Sequence, residues 1–371
     1  MKIPFNKPLI LGTEKQHISK VINDRKISAN GDYSRKCRQK LAEIFNCHQA
    51  FLTSNCTSAL EMATLLSNIE PEDEIIMPSF THVGTANPFQ RACAKIVWCD
   101  IRPGTKNIDE KLIEKLITNK TKAVVVVHYA GISCQIEEIA EICRKHEIIL
   151  IEDCAMAIGS KYNGKALGSF GDLAVVSFHE TKNIHCGEGG ALLVNNPEML
   201  EMAEILINCG TNRTHFELSK TDHYSWVAKS GNFQMSELQA AFLYPQLMDL
   251  EKINNNRKLI WDLYFSKLSE FLSSDQLPFV PEKCIHNAHL FYLILKSEQQ
   301  RKALIGYLKE AGIESVFHYI PLHNSPIRQG EYQHLPVTEK VASTILRLPL
   351  FYGLTDSEVL FIVEKIRDYF K

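Results

Sequence analysis

The run TKAVVVVHYAGISCQIEEIAEICRKHEIILIED, residues 121–153, holds the pattern that decides the fold. Two short β-rich stretches, TKAVVVVHY (121–129) and IILIED (148–153), flank a segment from Cys134 to His146 whose apolar residues recur at helical spacing. Strand, amphipathic helix, strand is the unit of a parallel sheet covered on both faces. The same alternation extends outward. AFLT (50–53), EIIMP (74–78) and AKIVWCDI (94–101) precede it, LAVVSFH (173–179) and ALLVNN (191–196) follow, and Ile108 to Ile117 is a further amphipathic stretch. The expected class is α/β with a large, mostly parallel sheet. Ligands of such sheets bind at the carboxyl ends of the strands.

After residue 236 the texture changes. A long helical pattern, residues 236–272, contains Pro245, which predicts a kink or a break. A strand (HLFYLILK, 289–296), a helix (297–311), a strand (IESVFHY, 313–319) and two more helical segments ending at Phe370 complete a smaller α+β unit. The expected division is 1–235 for the large domain, with an N-terminal arm and helix packed on it, and 236–371 for the small one.

Bulk composition narrows the function. With 371 residues, 41 Lys+Arg against 43 Asp+Glu and a formal charge of -2, the chain has no bulk attraction for nucleic acid or an anionic membrane, so any phosphate must be held locally. Eleven cysteines without a C-x-x-C pair read as reduced, buried small residues. No stretch has the ~20 apolar residues needed to span a bilayer, and the expected compartment is the cytoplasm. The 14 histidines show no H-E-x-x-H or similar spacing, so no metal is expected.

Chemistry concentrates on three stretches. Asp153 closes IILIED at the mouth of the sheet; alone, an Asp ending a strand is more often a cap or turn residue. In SFHETKNIHCGEGGAL (177–192), Lys182 follows an apolar strand and precedes a glycine-rich return through Gly187, Gly189 and Gly190 into the next strand. Alone, it is a solvated loop lysine. A buried lysine beside a phosphate site has its amine pKa lowered, as Schiff-base chemistry requires. An acid and a lysine on successive strand ends are the two poles of a pyridoxal site, the acid keeping the pyridinium nitrogen protonated. In LTSNCTSALEMA (52–63) a strand runs through small polar residues into a helix, whose first amides with Thr57 and Ser58 suit a phosphate. Ordinary N-capping explains the same residues.

These stretches resemble the sugar-nucleotide aminotransferases of the DegT type, within the type I fold of pyridoxal-phosphate (PLP)-dependent transferases. The resemblance runs through TSNCTSALEMA, EIIMPSFTHVGTAN, VVVVHYAG, IEDCAMAIGS, SFHETKN, GEGGAL, GNFQMSELQAAFL, FHYIPLH and LRLPLFY. FHETKN, NAHLFY, FHYIPLH and RLPLFY resemble the branch that acts on TDP-4-keto-6-deoxy-D-glucose with glutamate as amino donor.

The resemblance implies that Lys182 carries the cofactor and shuttles the proton, and that Asp153 pairs with the pyridinium nitrogen. It puts Thr57, Ser58 and Ser177 on the phosphate and His82 against the cofactor ring. Asn232 would reach the phosphate from the neighbouring subunit, so the partners are a second copy in a homodimer, a nucleotide sugar and glutamate. Pyridoxamine 5'-phosphate would be the intermediate form. Met156 stands where many relatives have Gln or His on the cofactor's phenolic oxygen; a thioether accepts hydrogen bonds weakly, so packing against the ring is the alternative. Arg213, His318 and Tyr319 are substrate candidates, with strand packing the other reading of the last two; His289 and His323 are weaker ones. Other 3- or 4-aminotransferases and a non-catalytic regulatory relative are the rival readings.

Overall fold

The computed structural model describes residues 2–217, 219–327 and 333–371. In chain order the strands are β1 (Gln49–Thr53), β2 (Glu74–Pro78), β3 (Lys95–Cys99), β4 (Thr121–Val127), β5 (Ile149–Asp153), β6 (Lys161–Tyr162), β7 (Lys165–Ala166), β8 (Leu173–Ser177), β9 (Gly190–Val194), β10 (Cys284–Ile285), β11 (Phe291–Ile294) and β12 (Ile345–Leu348). Seven of them form one sheet in the order β1-β9-β8-β5-β4-β2-β3. Only β9 runs antiparallel to its neighbours, so the other six strands end at one edge, where β9 begins.

Successive side chains of a strand point to opposite faces, and here both faces are buried. On one face Leu52, Ile76, Val124, Val126, Leu150, Val176 and Leu193 meet the helices Asp32–Phe45, Ile136–Lys145 and Glu237–Met248. On the other, Phe51, Ile75, Val125, Ile151, Val175 and Leu192 meet Cys56–Leu66, Val83–Arg91 and Leu200–Ile207. This double burial is why the strands read as continuous apolar runs rather than as alternating ones. A further core gathers Trp261, Tyr264, Leu268, Leu304, Leu308, Val359 and Ile362 around the antiparallel pair β11–β12, with Ile3 of the arm inserted into it. A bridging group of Phe80, Tyr129, Met156, Leu290, Tyr292 and Ile345 lies between.

Three sequence expectations are corrected. The break expected at Pro245 lies one turn further on: the helix Glu237–Met248 includes Pro245, the Asp249 N–H bonds to the Pro245 carbonyl at 3.1 Å, and a separate helix, Leu250–Leu268, follows. Proline lacks the N–H that would bond to the carbonyl four residues back and its ring crowds that carbonyl, and the break follows within a turn. The stretch 313–319 is not a strand: Ile313 and Val316 make isolated bridges, Val316 to Arg347, and the remainder turns toward the sheet edge. The strand that pairs with β11 is instead β12. Finally, Cys93 and Cys209 are exposed, both at positive φ in turns, although the other cysteines are free thiols in buried or half-buried positions.

Candidate active site

The edge where six strands end gathers most of the polar residues singled out above. Asp153 ends β5 almost fully buried. Its Oδ1 accepts the Ala155 N–H at 3.0 Å and its Oδ2 the Thr85 hydroxyl at 2.9 Å, and Thr85 is in turn 2.8 Å from Thr81. The carboxylate is thereby held in one orientation with lone-pair capacity left over.

Lys182 follows β8 through a turn closed by its own N–H to the His179 carbonyl at 2.9 Å. The residue is half-buried, and its amine, at the buried end, has no hydrogen-bond or ion-pair partner among the described residues. Burial lowers its pKa, Arg347 adds to the fall, and the Cys56 thiol and Asp153 oppose it. Behind it, Asn183 is clamped: Nδ2 donates to Asn254 Oδ1 and to the Asn287 carbonyl, each at 2.8 Å. With both amide protons used, Asn183 Oδ1 is the acceptor for His289 Nδ1 at 2.9 Å, and Lys182 is anchored from its neighbour.

The helix Cys56–Leu66 points its start at the same edge. Its cap is Asn55, whose Oδ1 accepts the Ser58 N–H at 2.8 Å; Ser58 Oγ lies 3.1 Å from Ser54 Oγ. Helix geometry leaves the Cys56 and Thr57 amides without intrahelical acceptors. Beneath them passes Gly190, where a Cβ would lie 2.5 Å from the Asn55 carbonyl carbon and 2.6 Å from the Cys56 nitrogen, so only glycine fits. Ser177 pairs with Gly190 across β8 and β9. Thr57 Oγ1 faces the start of Val83–Arg91, 3.0 Å from where a Cβ on Gly84 would be. Two helix starts and Ser177 thus come together around Gly190 with N–H and O–H donors among them, a setting for an anion.

His82 caps the second of those helices, with Nδ1 accepting the Gly84 N–H at 3.0 Å. Desolvation and the Lys182 charge lower its pKa against Asp153, so the ring is neutral and stands edge-on to Tyr319 at 6.4 Å. Met156 is buried beside Phe80 and Tyr129, and its sulfur accepts the Ala130 N–H at 3.4 Å, which makes it a packing residue.

An aromatic wall closes the other side. Tyr129 Oη is 3.0 Å from His318 Nδ1, the His318 ring lies 3.5 Å from that of Tyr319, and Tyr319 meets Phe80 at 5.6 Å. Burial pushes the Tyr129 and Tyr319 phenols up and the His318 imidazole well down, so all three stay neutral. Tyr129, Thr85 and Arg347 are members of this group that the sequence reading did not single out. Arg347 had a signal, an arginine between Leu346 and Leu348 in the apolar run LRLPLFY.

Other residues lie elsewhere. Asn232 is exposed, next to Phe233, whose carbonyl accepts the Ser54 N–H at 2.7 Å. Arg213 sits on the exposed helix Arg213–Glu217, Nε donating to Glu217 at 2.8 Å, outside the group around Lys182. His323 is 2.6 Å from Ser79 Oγ and 3.3 Å from Glu339. A buried trio of His128, Glu152 and Cys154 brings potential metal-ligand atoms within 4.8 Å of one another. Glu152, however, already accepts the N–H groups of Gly168, Phe170 and Gly171 as well as His128 Nε2, and it braces β4 and β5 from behind.

The model of the DegT/DnrJ/EryC1/StrS aminotransferase family matches residues 9–367. GDP-perosamine synthase of Escherichia coli O157:H7 is 29% identical over 371 residues, covering 99% of this chain and 98% of the relative. The aminotransferase TlmJ from Streptoalloteichus hindustanus superposes with a TM-score of 0.92 at 28% identity, covering 100% of this chain and 99% of that one. Spr1654 from Streptococcus pneumoniae, solved in PLP and PMP forms, gives 0.91 at 25% identity, covering 100% and 98%. The residues present suit that cofactor: an unpartnered amine, a fixed carboxylate and a helix start with hydroxyls beside it, packed so closely on Gly190 that only glycine fits there. The chain belongs to the DegT/DnrJ/EryC1/StrS aminotransferase family, and it is a PLP-dependent sugar aminotransferase.

Proposed function

We propose that the chain transfers the amino group of L-glutamate to C4 of TDP-4-keto-6-deoxy-D-glucose, yielding TDP-4-amino-4,6-dideoxy-D-galactose and 2-oxoglutarate. The observation that carries the transamination is the desolvated Lys182 amine, which has no protein partner of its own and lies within the electrostatic reach of Asp153. The choice of sugar rests on FHETKN, NAHLFY, FHYIPLH and RLPLFY.

Bound PLP supplies an aldehyde that captures amines and a ring that takes up an electron pair. Asp153, steadied by Thr85 and the Ala155 N–H, keeps the ring nitrogen protonated. Thr57, Ser58 and Ser177 would hold the phosphate, and His82 and Met156 would pack against the ring. Lys182 Nζ takes the proton from the donor's α-carbon and, in the reverse sense, delivers one to sugar C4. Its lowered pKa raises the fraction present as free amine. His318 and Tyr319 face the sugar as neutral hydrogen-bonding rings. Asn232 of a second copy completes the phosphate site, and Arg213 meets the nucleotide sugar in the same dimer.

Lys182→Ala and Lys182→Arg should lower turnover by at least about 1,000-fold, the scale on which removal of an essential acid–base group acts. The holoenzyme should show a visible band that borohydride bleaches in the wild type. Near-wild-type turnover in either variant would overturn the assignment. The sugar is tested by offering the pyridoxamine form a panel of TDP-, UDP- and GDP-linked keto sugars and identifying products by NMR. The GDP arm is motivated by the relative named GDP-perosamine synthase. Reaction with 3-keto substrates alone would refute the C4 assignment.

A further inference from the structure

The stretch NAHLFY holds two polar residues, Asn287 and His289, to which the mechanism above gives no part. Both are almost fully buried. Asn287 lies between β11 and β10, and β10 pairs with β6 just beyond the turn that follows Asp153. Its side chain reaches back into that turn: Nδ2 donates to the Met156 carbonyl at 2.9 Å and to the Ile158 carbonyl at 3.0 Å. Its backbone N–H donates to Ser160 Oγ at 3.1 Å. Two carbonyls can be met only by N–H groups, so the amide has one orientation. Its Oδ1 is sealed from solvent with no partner among the described residues, and donation to the turn is the side chain's whole hydrogen-bonding duty.

The same residue holds the lysine segment from its other end. The Asn287 carbonyl accepts an amide proton of Asn183, the residue after Lys182, at 2.8 Å, and His289 Nδ1 meets Asn183 Oδ1 at 2.9 Å. Asn254 closes the ring, since its Oδ1 accepts from Asn183 Nδ2 at 2.8 Å and its Nδ2 donates to the same Ile158 carbonyl at 3.1 Å. The packing leaves no slack. A Cβ on Gly131 would lie 2.0 Å from Asn287 Oδ1 and 3.0 Å from the Met156 carbonyl oxygen, and one on Gly159 would lie 2.6 Å from Asn254 Nδ2.

We propose that Asn287 is a positioning residue that spans the two poles of the site, holding the turn after Asp153 and the segment after Lys182 at one fixed separation. This rests on the roles given to Lys182 and Asp153 above. The aldehyde of PLP and its ring nitrogen stand at opposite ends of a rigid ring, so one pole cannot shift against the other and be followed by the cofactor. A misplacement of about 1 Å at a reacting centre costs on the order of 100-fold in rate. Asn287 acts only through Asn183 and the turn.

The test compares wild-type holoenzyme with Asn287→Ala, which cuts the tie to the turn but keeps the backbone carbonyl that Asn183 uses, with Asn183→Ala, which cuts the other end, and with the double variant. The first readout needs no substrate. The visible band of bound PLP titrates with pH as the nitrogen of Lys182 takes up a proton, and its midpoint should move by about one unit in N287A. The second is conversion of the PLP form by L-glutamate, in which kcat should fall on the order of 10- to 100-fold with KM held within about threefold. Because both single variants break one span, the double variant should be about as impaired as the worse of them. Losses that multiply would overturn the proposal. So would an N287A enzyme whose midpoint stays within about 0.2 unit and whose kcat stays within about threefold of wild type. A loss confined to KM would make Asn287 a substrate contact and overturn the positioning role as well. If N287A does not fold, Asn287→Ser, whose hydroxyl cannot reach both carbonyls, decides the matter by the same readouts. Lys182→Ala, run alongside, separates the span from the reading beneath it. Covalent fixation of the cofactor by borohydride in K182A, read by mass spectrometry, would refute Lys182 as the carrier, whereas an unmoved band and rate in N287A would refute only the span.

Discussion

Lys106 lies 5% exposed at a left-handed φ of 64°, with Nζ donating to the Pro103 carbonyl and facing the Tyr292 ring at 5.6 Å. Burial pushes its pKa down to about 8. The folded chain therefore holds this proton more weakly than the unfolded chain does. Below about pH 8 the full penalty of a buried ammonium is present; between there and the ordinary lysine value of ~10.4 the unfolded state binds more protons and stability rises with pH. The difference amounts to up to roughly 3 kcal/mol. Lys106→Met should thus be more stable than wild type at neutral pH, with a gap that closes as the pH approaches 10.5. Urea melts at several pH values would measure it, and a gap constant across that range would show that Lys106 does not titrate there. Asp153 and Lys182 were legible in the sequence because each sits where a strand pattern ends, and strand ends are where such sheets bind ligands. Arg347 and Tyr129 were not legible. Their meaning depends on β12 and on the segment around His318 arriving beside the sheet edge, which no local pattern announces.

At the level of elements, the seven strands of the large sheet were readable because burial on both faces leaves unbroken apolar runs. Strand β12 was missed because four residues with an arginine among them carry too little pattern. The helix Asp32–Phe45 shows a subtler case. Its N-cap, Gly31, has no side chain to offer, and the cap comes from Glu237, some two hundred residues away. Glu237 accepts the N–H groups of Tyr33 and Ser34 and, at 2.5 Å, the Ser34 hydroxyl. A Cβ on Gly31 would collide with that carboxylate at 2.4 Å from Cδ, so the glycine and the acid form one device. Glu237→Gln keeps the shape but loses the charge-assisted bonds at a helix start, and should cost about 1–3 kcal/mol in denaturant unfolding. A change below about 0.5 kcal/mol would mean that water replaces the carboxylate without loss. No helix of the described residues is long and apolar enough to cross a membrane.

At the scale of the whole molecule, one chain gathers Asp153, Lys182, His82, Thr57, Ser58 and Ser177 at a single edge yet leaves Arg213 and Asn232 on exposed surface. Around Arg213 the surface is also apolar: Trp226 is 77% exposed, Tyr224 55% and Phe216 43%. The proposed homodimer, in which each copy would lend Asn232 to the other's phosphate site, would account for both features, and it makes a prediction that no single-chain account shares. Lys182→Ala disables the site of its own chain, whereas Asn232→Asp, which sets a carboxylate against the phosphate, would disable the site of the other chain. Each variant alone should be nearly inactive. Co-expressed, half of the dimers formed at random are mixed. In each mixed dimer one site takes both defects and the other takes neither. About a quarter of wild-type activity should therefore return. If Asn232 instead served the site of its own chain, every site in the mixture would carry one defect, and no activity would return. Tagging the two variants differently and assaying only the doubly tagged species sharpens the contrast, because the restored fraction then rises to about half.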